Sequence, residues 1–200
     1  MLPLETVTAL VSFAFVASIT PGPNNILLTA SGVNFGFART VPHMLGICAG
    51  FMALLLAVGL GLGMILAAVP QLQTALRIAG AAYMLWLAWK VANAAAVGEA
   101  AERPQPMTFW EAAAFQWVNP KAWVMGVGAM AVYVRPDHAS ADILVVTLVF
   151  GLVTVPAVVT WAAFGHVLRK ALRDPAKVRV FNIAMALLLA VSVLPIAIGL

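Results

Sequence analysis

Residues 4–28 read LETVTALVSFAFVASITPGPNNILL. The stretch is long and apolar enough to cross a bilayer, which takes about 20 mostly apolar residues as a helix. It is also interrupted. Pro21 and Pro23 flank Gly22, which removes two backbone donors and loosens the helix, and Asn24 and Asn25 follow at once. A break at membrane depth is tolerated where it is buried in protein or lines a water-filled cavity. It is either a packing kink, with the asparagines satisfying freed backbone groups, or part of a polar site. The segment is not read as a signal peptide. It starts Met1-Leu2-Pro3-Leu4-Glu5 without a basic n-region, and it exceeds the usual 7–15-residue apolar core.

Five further apolar runs follow, at about 41–68, 72–93, 109–133, 143–167 and 179–199. They do not alternate in polarity as barrel strands do; Leu54-Leu55-Leu56 and Leu187-Leu188-Leu189 are uniform. The expectation is an all-α integral membrane protein with six transmembrane helices in a single domain, 1–200. A polar linker at about 94–108, with Gly98, Glu99, Glu102, Arg103, Pro104 and Pro106, divides it into halves of three spans, 1–93 and 109–200. Composition agrees. Hydrophobic residues make up 64% of the 200 and charged ones 9%, too few to cover a soluble globule this small. A soluble enzyme, a nucleic-acid binder and a disordered chain are all excluded on that ground. The net charge of +4 reflects topology. Arg39, Lys90, Arg103, Arg169, Lys170, Arg173, Lys177 and Arg179 fall in the three gaps of one side, against Arg135 on the other, with Arg77 inside the start of span three. The positive-inside rule puts that side in the cytoplasm and both termini outside.

A second break lies in span four, at Gln116-Trp117-Val118-Asn119-Pro120-Lys121. Lys121 is about 12 residues, or about 18 Å, into the span. A charge there costs at least about 2.5–3.5 kcal/mol on insertion scales and so marks function. The alternative is snorkelling of its stem to the headgroups. Both breaks occur in the first span of a half. A three-span unit inverts when repeated, and paired proline-interrupted segments at corresponding positions point to the site of an inverted-repeat transporter. Chance similarity between apolar segments is the other account. Pro21, Gly22, Pro23, Asn24, Asn25, Gln116, Asn119, Pro120 and Lys121 are therefore the candidate substrate-binding residues.

Other residues carry less. A single cysteine, Cys48, excludes a redox pair, and His43, His138 and His166 are too scattered for a metal cluster. No cofactor is expected. The run Gly59-Leu60-Gly61-Leu62-Gly63 lacks a following Lys-Ser/Thr and reads as close helix packing. Trp86, Trp89, Trp110, Trp117, Trp123 and Trp161 read as belt or packing aromatics.

At these residues the chain resembles the lysine exporter (LysE) and homoserine/threonine resistance (RhtB) family. Thr20-Pro21-Gly22-Pro23-Asn24 is similar to that family's Pro-Gly-Pro signature, and Asn119-Pro120-Lys121 to its Asn-Pro-Lys signature. Gly32–Arg39 with Gly46 and Gly50, and Gly80–Leu87, are similar to its second- and third-span regions. The resemblance implies no enzyme but a secondary exporter of amino acids or close derivatives, with substrates of the threonine, homoserine, leucine or lysine type. It implies a place in the bacterial inner membrane and proton-motive-force drive. The implied partners are substrate, protons and the lipid bilayer, with self-association left open. A membrane scaffold or an electron carrier of similar architecture is the competing reading, the carrier being disfavoured by the lone cysteine.

An amino acid presents a carboxylate and an ammonium. Lys121 is expected to meet the carboxylate or to change protonation in the cycle, and the asparagines and Gln116 to hold polar groups. No Asp or Glu lies in the middle of a span, so a carboxylate relay is not visible; His43 and His166 are the alternatives, each near a span end.

Overall fold

Proline sets where several helices start. It has no N–H to donate, and the first turn needs none, so Pro23, Pro70, Pro120 and Pro175 each open a helix. A computed structural model describes residues 2–94, 105–172 and 174–194. Among them the elements are α1 Leu4–Ile19, α2 Pro23–Phe35, α3 Phe37–Ala57, α4 Gly63–Ala68, α5 Pro70–Ala92, α6 Phe109–Gln116, α7 Pro120–Tyr133, α8 Ala139–Ala171 and α9 Pro175–Val191. No strand occurs among the described residues. Of the features read from sequence, Gly98, Glu99, Glu102, Arg103, Pro104, Arg173 and residues 195–199 lie outside them.

Two helical stretches, Phe37–Ala68 and Pro136–Ala171, are long and apolar enough to cross a membrane. The pair α1 and α2 qualifies together, bent by 53° at its break. Two boundaries differ from expectation. The first span runs on to Phe35 and α3 begins at Phe37, so Arg39 lies in a helix, with Gly36 (φ 85°) as the whole connection. Likewise α8 and α9 extend towards each other, which puts Arg169 and Lys170 in a last turn and Lys177 and Arg179 at the start of the next helix. Charged residues lower apolarity, but they do not end a helix whose backbone bonds are intact.

The glycine run after α3 also differs. Gly59 does pack closely: a Cβ there would lie 2.8 Å from Ile143 Cγ2. Gly61, however, takes φ 106° within a π-helical turn, Val58–Leu62, so the second span is kinked. Only glycine takes that conformation readily.

Helix contacts cross between the halves. α1 and α2 run along α8, and α6 runs along α3; α3 packs on α8 and α5 on α9. Glycines make the closest approaches. A Cβ at Gly32 would collide with the Ala162 carbonyl, and one at Gly165 with the Thr29 carbonyl. Gly46 and Gly50 of α3 meet Phe109 and Ala113 in the same way. Without a hydrophobic drive between helices in lipid, such close packing is what holds them.

The buried core falls into two clusters. One holds Leu28 of α2, Ile47 of α3, Leu87 of α5, Phe115 of α6, Val158 of α8 and Leu189 of α9. The other holds Leu10 of α1, Phe51 and Leu54 of α3, Ala122 of α7 and Phe150 of α8. The pairs α1–α2 and α6–α7 thus each give one helix to each cluster, and the two breaks lie where the clusters meet.

Candidate functional site

The first break frees carbonyls, and each finds a donor. Pro21 and Pro23 cannot bond back to Ala17 and Ile19. Thr20 Oγ1 donates to the Ala17 carbonyl at 3.0 Å, and the Trp161 indole N–H, from α8, donates to the Ile19 carbonyl at 3.1 Å. Asn25 Nδ2 donates to the carbonyls of Ser18 (3.0 Å) and Thr20 (2.8 Å). The helix resumes when Ile26 N–H reaches the Gly22 carbonyl at 3.0 Å. This accounts for groups that lipid could not satisfy.

The second break is built by a cap. Asn119 precedes Pro120, and its Oδ1 accepts from the Lys121 backbone N–H at 3.1 Å, starting α7. Trp123 Nε1 donates to the Trp117 carbonyl at 2.8 Å. Gly80 of α5 lets the Val118 carbonyl approach, since a Cβ would lie 2.7 Å from it. Lys121 is the middle residue of Phe109–Tyr133, and the midpoint of Leu4–Phe35 falls between Ile19 and Thr20, next to the Pro21-Gly22-Pro23 break.

The two breaks meet. Asn24 Nδ2 donates to Gln116 Oε1 at 2.8 Å, and Gln116 Nε2 donates back to Asn24 Oδ1 at 3.1 Å and to the Ala112 carbonyl at 2.9 Å. Lys121 Nζ donates to the Thr20 carbonyl at 2.7 Å and to Thr20 Oγ1 at 2.9 Å. Between them lies a cavity of about 40 Å³, also lined by Ser18, Ile47, Phe51, Met125 and Thr154. A single water needs roughly 10–15 Å³ on such a measure, so an amino acid enters only when the breaks part.

Of the residues singled out from sequence, Gly22, Asn24, Asn25, Gln116, Asn119 and Lys121 line this cavity. Pro21, Pro23 and Pro120 do not. Pro21 is exposed and Pro23 buried, and Pro120 faces a wider groove of about 730 Å³ on the other side of the break. That groove is larger, but Arg77 and Gln73 are its polar side chains against a mostly apolar wall, and it lacks convergent polar groups. His43 and His166 do not line the cavity. His43 is buried with both ring nitrogens unpartnered among the described residues.

Sequence reading did not assign Ser18, Thr20, Thr154 or Trp161 to the site. Ser18 and Thr154 approach to 3.4 Å between hydroxyls. Trp161 passed as a packing aromatic, and nothing local distinguishes it, because its partner Ile19 is 142 residues away. Thr20 stood inside the quoted motif, beside residues whose types were more conspicuous. Among the described residues no acidic side chain lines the cavity, and no group of His, Cys, Asp and Glu is placed to hold a metal.

Comparison with known proteins finds relatives over most of the chain. A cysteine/O-acetylserine efflux protein of Salmonella typhimurium is 34% identical over 180 residues, covering 89% of this chain and 90% of that protein. The protein of the same description from Escherichia coli is 33% identical over the same shares. No solved structure matches the chain. Residues 15–198, which include both breaks and every residue of the cavity, match the family described as LysE type translocator, and the chain belongs to that family.

Proposed function

We propose that this protein is a secondary exporter of amino acids across the bacterial inner membrane, driven by the proton-motive force, with the cavity between the two breaks as its substrate site. The observation that carries the reading is the position of Lys121. Its ammonium sits at the middle of one broken helix pair and bonds to the break of the other, at the edge of a cavity lined by the carboxamides of Asn24, Asn25, Gln116 and Asn119 and the hydroxyls of Ser18 and Thr154. A charge at membrane depth is costly, and pairs of broken helices are how transporters present polar groups there.

The architecture that accommodates this is six spans in two inverted three-span repeats. The cross-half packing supports it: span one on span five, span four on span two, two on five and three on six are the pairs that exchanging the halves leaves unchanged. The basic ends also cohere. Arg169 lies beside Gly36 at the start of α3, and Lys90 pairs with Glu111 at the start of α6, in keeping with a cytoplasmic face there and both termini outside.

The substrate favoured is small, with a short neutral side chain. A lysine-type substrate would bring a second cation to a cavity that has Lys121 and no acidic lining residue. The cysteine and O-acetylserine in the relatives' names fit that chemistry. Dipeptide-loaded cells should release cysteine or O-acetylserine faster with the protein than without it, and a protonophore should abolish the difference. Unchanged accumulation across a panel of neutral and basic amino acids would remove the exporter reading.

A further inference from the structure

The oxygens that Lys121 contacts keep acceptor capacity after the chain's own bonds are made: Thr20 O accepts one bond from Asn25 Nδ2 at 2.8 Å, and its second lone pair is open to another donor. Thr20 O and Pro21 O lie at the C-terminal end of α1, where the helix dipole is negative, and the break separates them from the N–H groups that a continuous helix would offer. Lys121 Nζ takes both, at 2.7 and 3.5 Å, together with Thr20 Oγ1 at 2.9 Å. An ammonium has three N–H donors, and three oxygens here face one ammonium. No carboxylate competes for it: the ion pairs among the described residues are Lys90 with Glu111 and Arg135 with Asp142. Gly22 makes the approach possible. A Cβ there would lie 2.8 Å from Lys121 Cδ and 3.1 Å from Nζ. Thr20 and Pro21 are exposed and Lys121 is half-buried, so this group of oxygens sits at the rim of the cavity and can be reached from outside it.

We propose that Thr20 O, Thr20 Oγ1 and Pro21 O form an ammonium subsite, and that Lys121 is a tethered ammonium that fills it between substrates. The α-ammonium of an amino acid presents the same three donors on one nitrogen. On entry it displaces Lys121 Nζ, whose charge then turns to the α-carboxylate, carried on the same Cα as the substrate's ammonium. The exchange moves no net charge relative to the protein and breaks no covalent bond. It also supplies the motion that the small cavity requires, since the Lys121 contacts to Thr20 are among the links that close the two breaks on each other. This deepens the exporter reading and rests on it for the identity of the ligand.

The test is made without transport. Purified full-length protein in detergent is titrated with ethylammonium chloride while thermal unfolding is followed, with tetramethylammonium chloride, which has no N–H, at matched ionic strength. In the native protein Lys121 competes, and ethylammonium should raise the melting temperature little. In Lys121→Ala the subsite is vacated, and in Gly22→Ala the stem is pushed off it. In each, ethylammonium should stabilise saturably, with a half-saturating concentration at least about tenfold below that of the native protein, while tetramethylammonium shows no such difference. Either variant suffices if the other does not fold. Adding Thr20→Val to Lys121→Ala should weaken the response severalfold. Equal ethylammonium responses in native protein and variants, or a tetramethylammonium response of the same size, would overturn the subsite. Discrimination between the two cations without any amino-acid efflux in cells would keep the subsite and remove the exporter reading; efflux without discrimination would do the reverse.

Discussion

Asn24 and Gln116 stand 92 residues apart in the chain and hold each other by two amide hydrogen bonds of 2.8 and 3.1 Å, joining the α1–α2 break to the α6–α7 break. Gln116 is fully buried, so its amide has no water to fall back on. Without Asn24, Gln116 Oε1 loses its donor, though Nε2 keeps the Ala112 carbonyl; without Gln116, the Asn24 amide loses both bonds of the pair. Asn24→Leu and Gln116→Leu should each destabilise the protein, and the double variant should lose less than the two singles together. Couplings between polar groups in membrane proteins average about 0.6 kcal/mol and reach about 1.7. Denaturation of the four proteins in mixed micelles measures it; strict additivity would show that the pair contributes nothing.

Lys121→Met keeps most of the side-chain length and removes the charge. Insertion should be unharmed or improved, because a charge in the bilayer centre costs a few kcal/mol to insert. Efflux, normalised to protein in the membrane, should fall at least about tenfold, the equivalent of about 1.4 kcal/mol. Lys121→Arg should also be impaired, since a planar fork does not reproduce a compact three-donor ammonium on Thr20. Near-native efflux from Lys121→Met would leave only an anchoring role for the residue.

Gly32 and Gly165 bring α2 and α8 into backbone contact. Gly165→Val should force them apart, with the usual overpacking cost of about 1–3 kcal/mol. Because the Trp161 indole reaches the break from the same helix, its bond to the Ile19 carbonyl should be lost as well. The expected result is less folded protein in the membrane and, per folded molecule, less efflux. A Gly165→Val protein as stable and active as the native one would show that this contact does not position the site.

Reporter fusions in the linker at residues 94–108 and after Leu200 should report opposite sides of the membrane, cytoplasmic for the linker. Finding both on one side would overturn the odd number of spans per half and with it the inverted repeat.

Hydrophobic runs, proline positions and one lysine deep in an apolar run were enough to read from the sequence an all-helical membrane chain and the two places where its helices break. These are local properties. A proline removes its own N–H wherever the fold puts it, and Pro23 and Pro120 do open helices where the motifs predicted breaks. Nothing local could say which end of an apolar run continues as helix, so the join at Gly36 and the kink at Gly61 were not legible. Nor could spacing say that Asn24 would face Gln116, that the Lys121 ammonium would rest on Thr20, or that Trp161 would donate to Ile19. Those pairings depend on how closely glycine surfaces let the helices cross. A side chain's hydrogen-bonding capacity belongs to its residue type, but its partner belongs to whichever helix the packing brings within 3 Å.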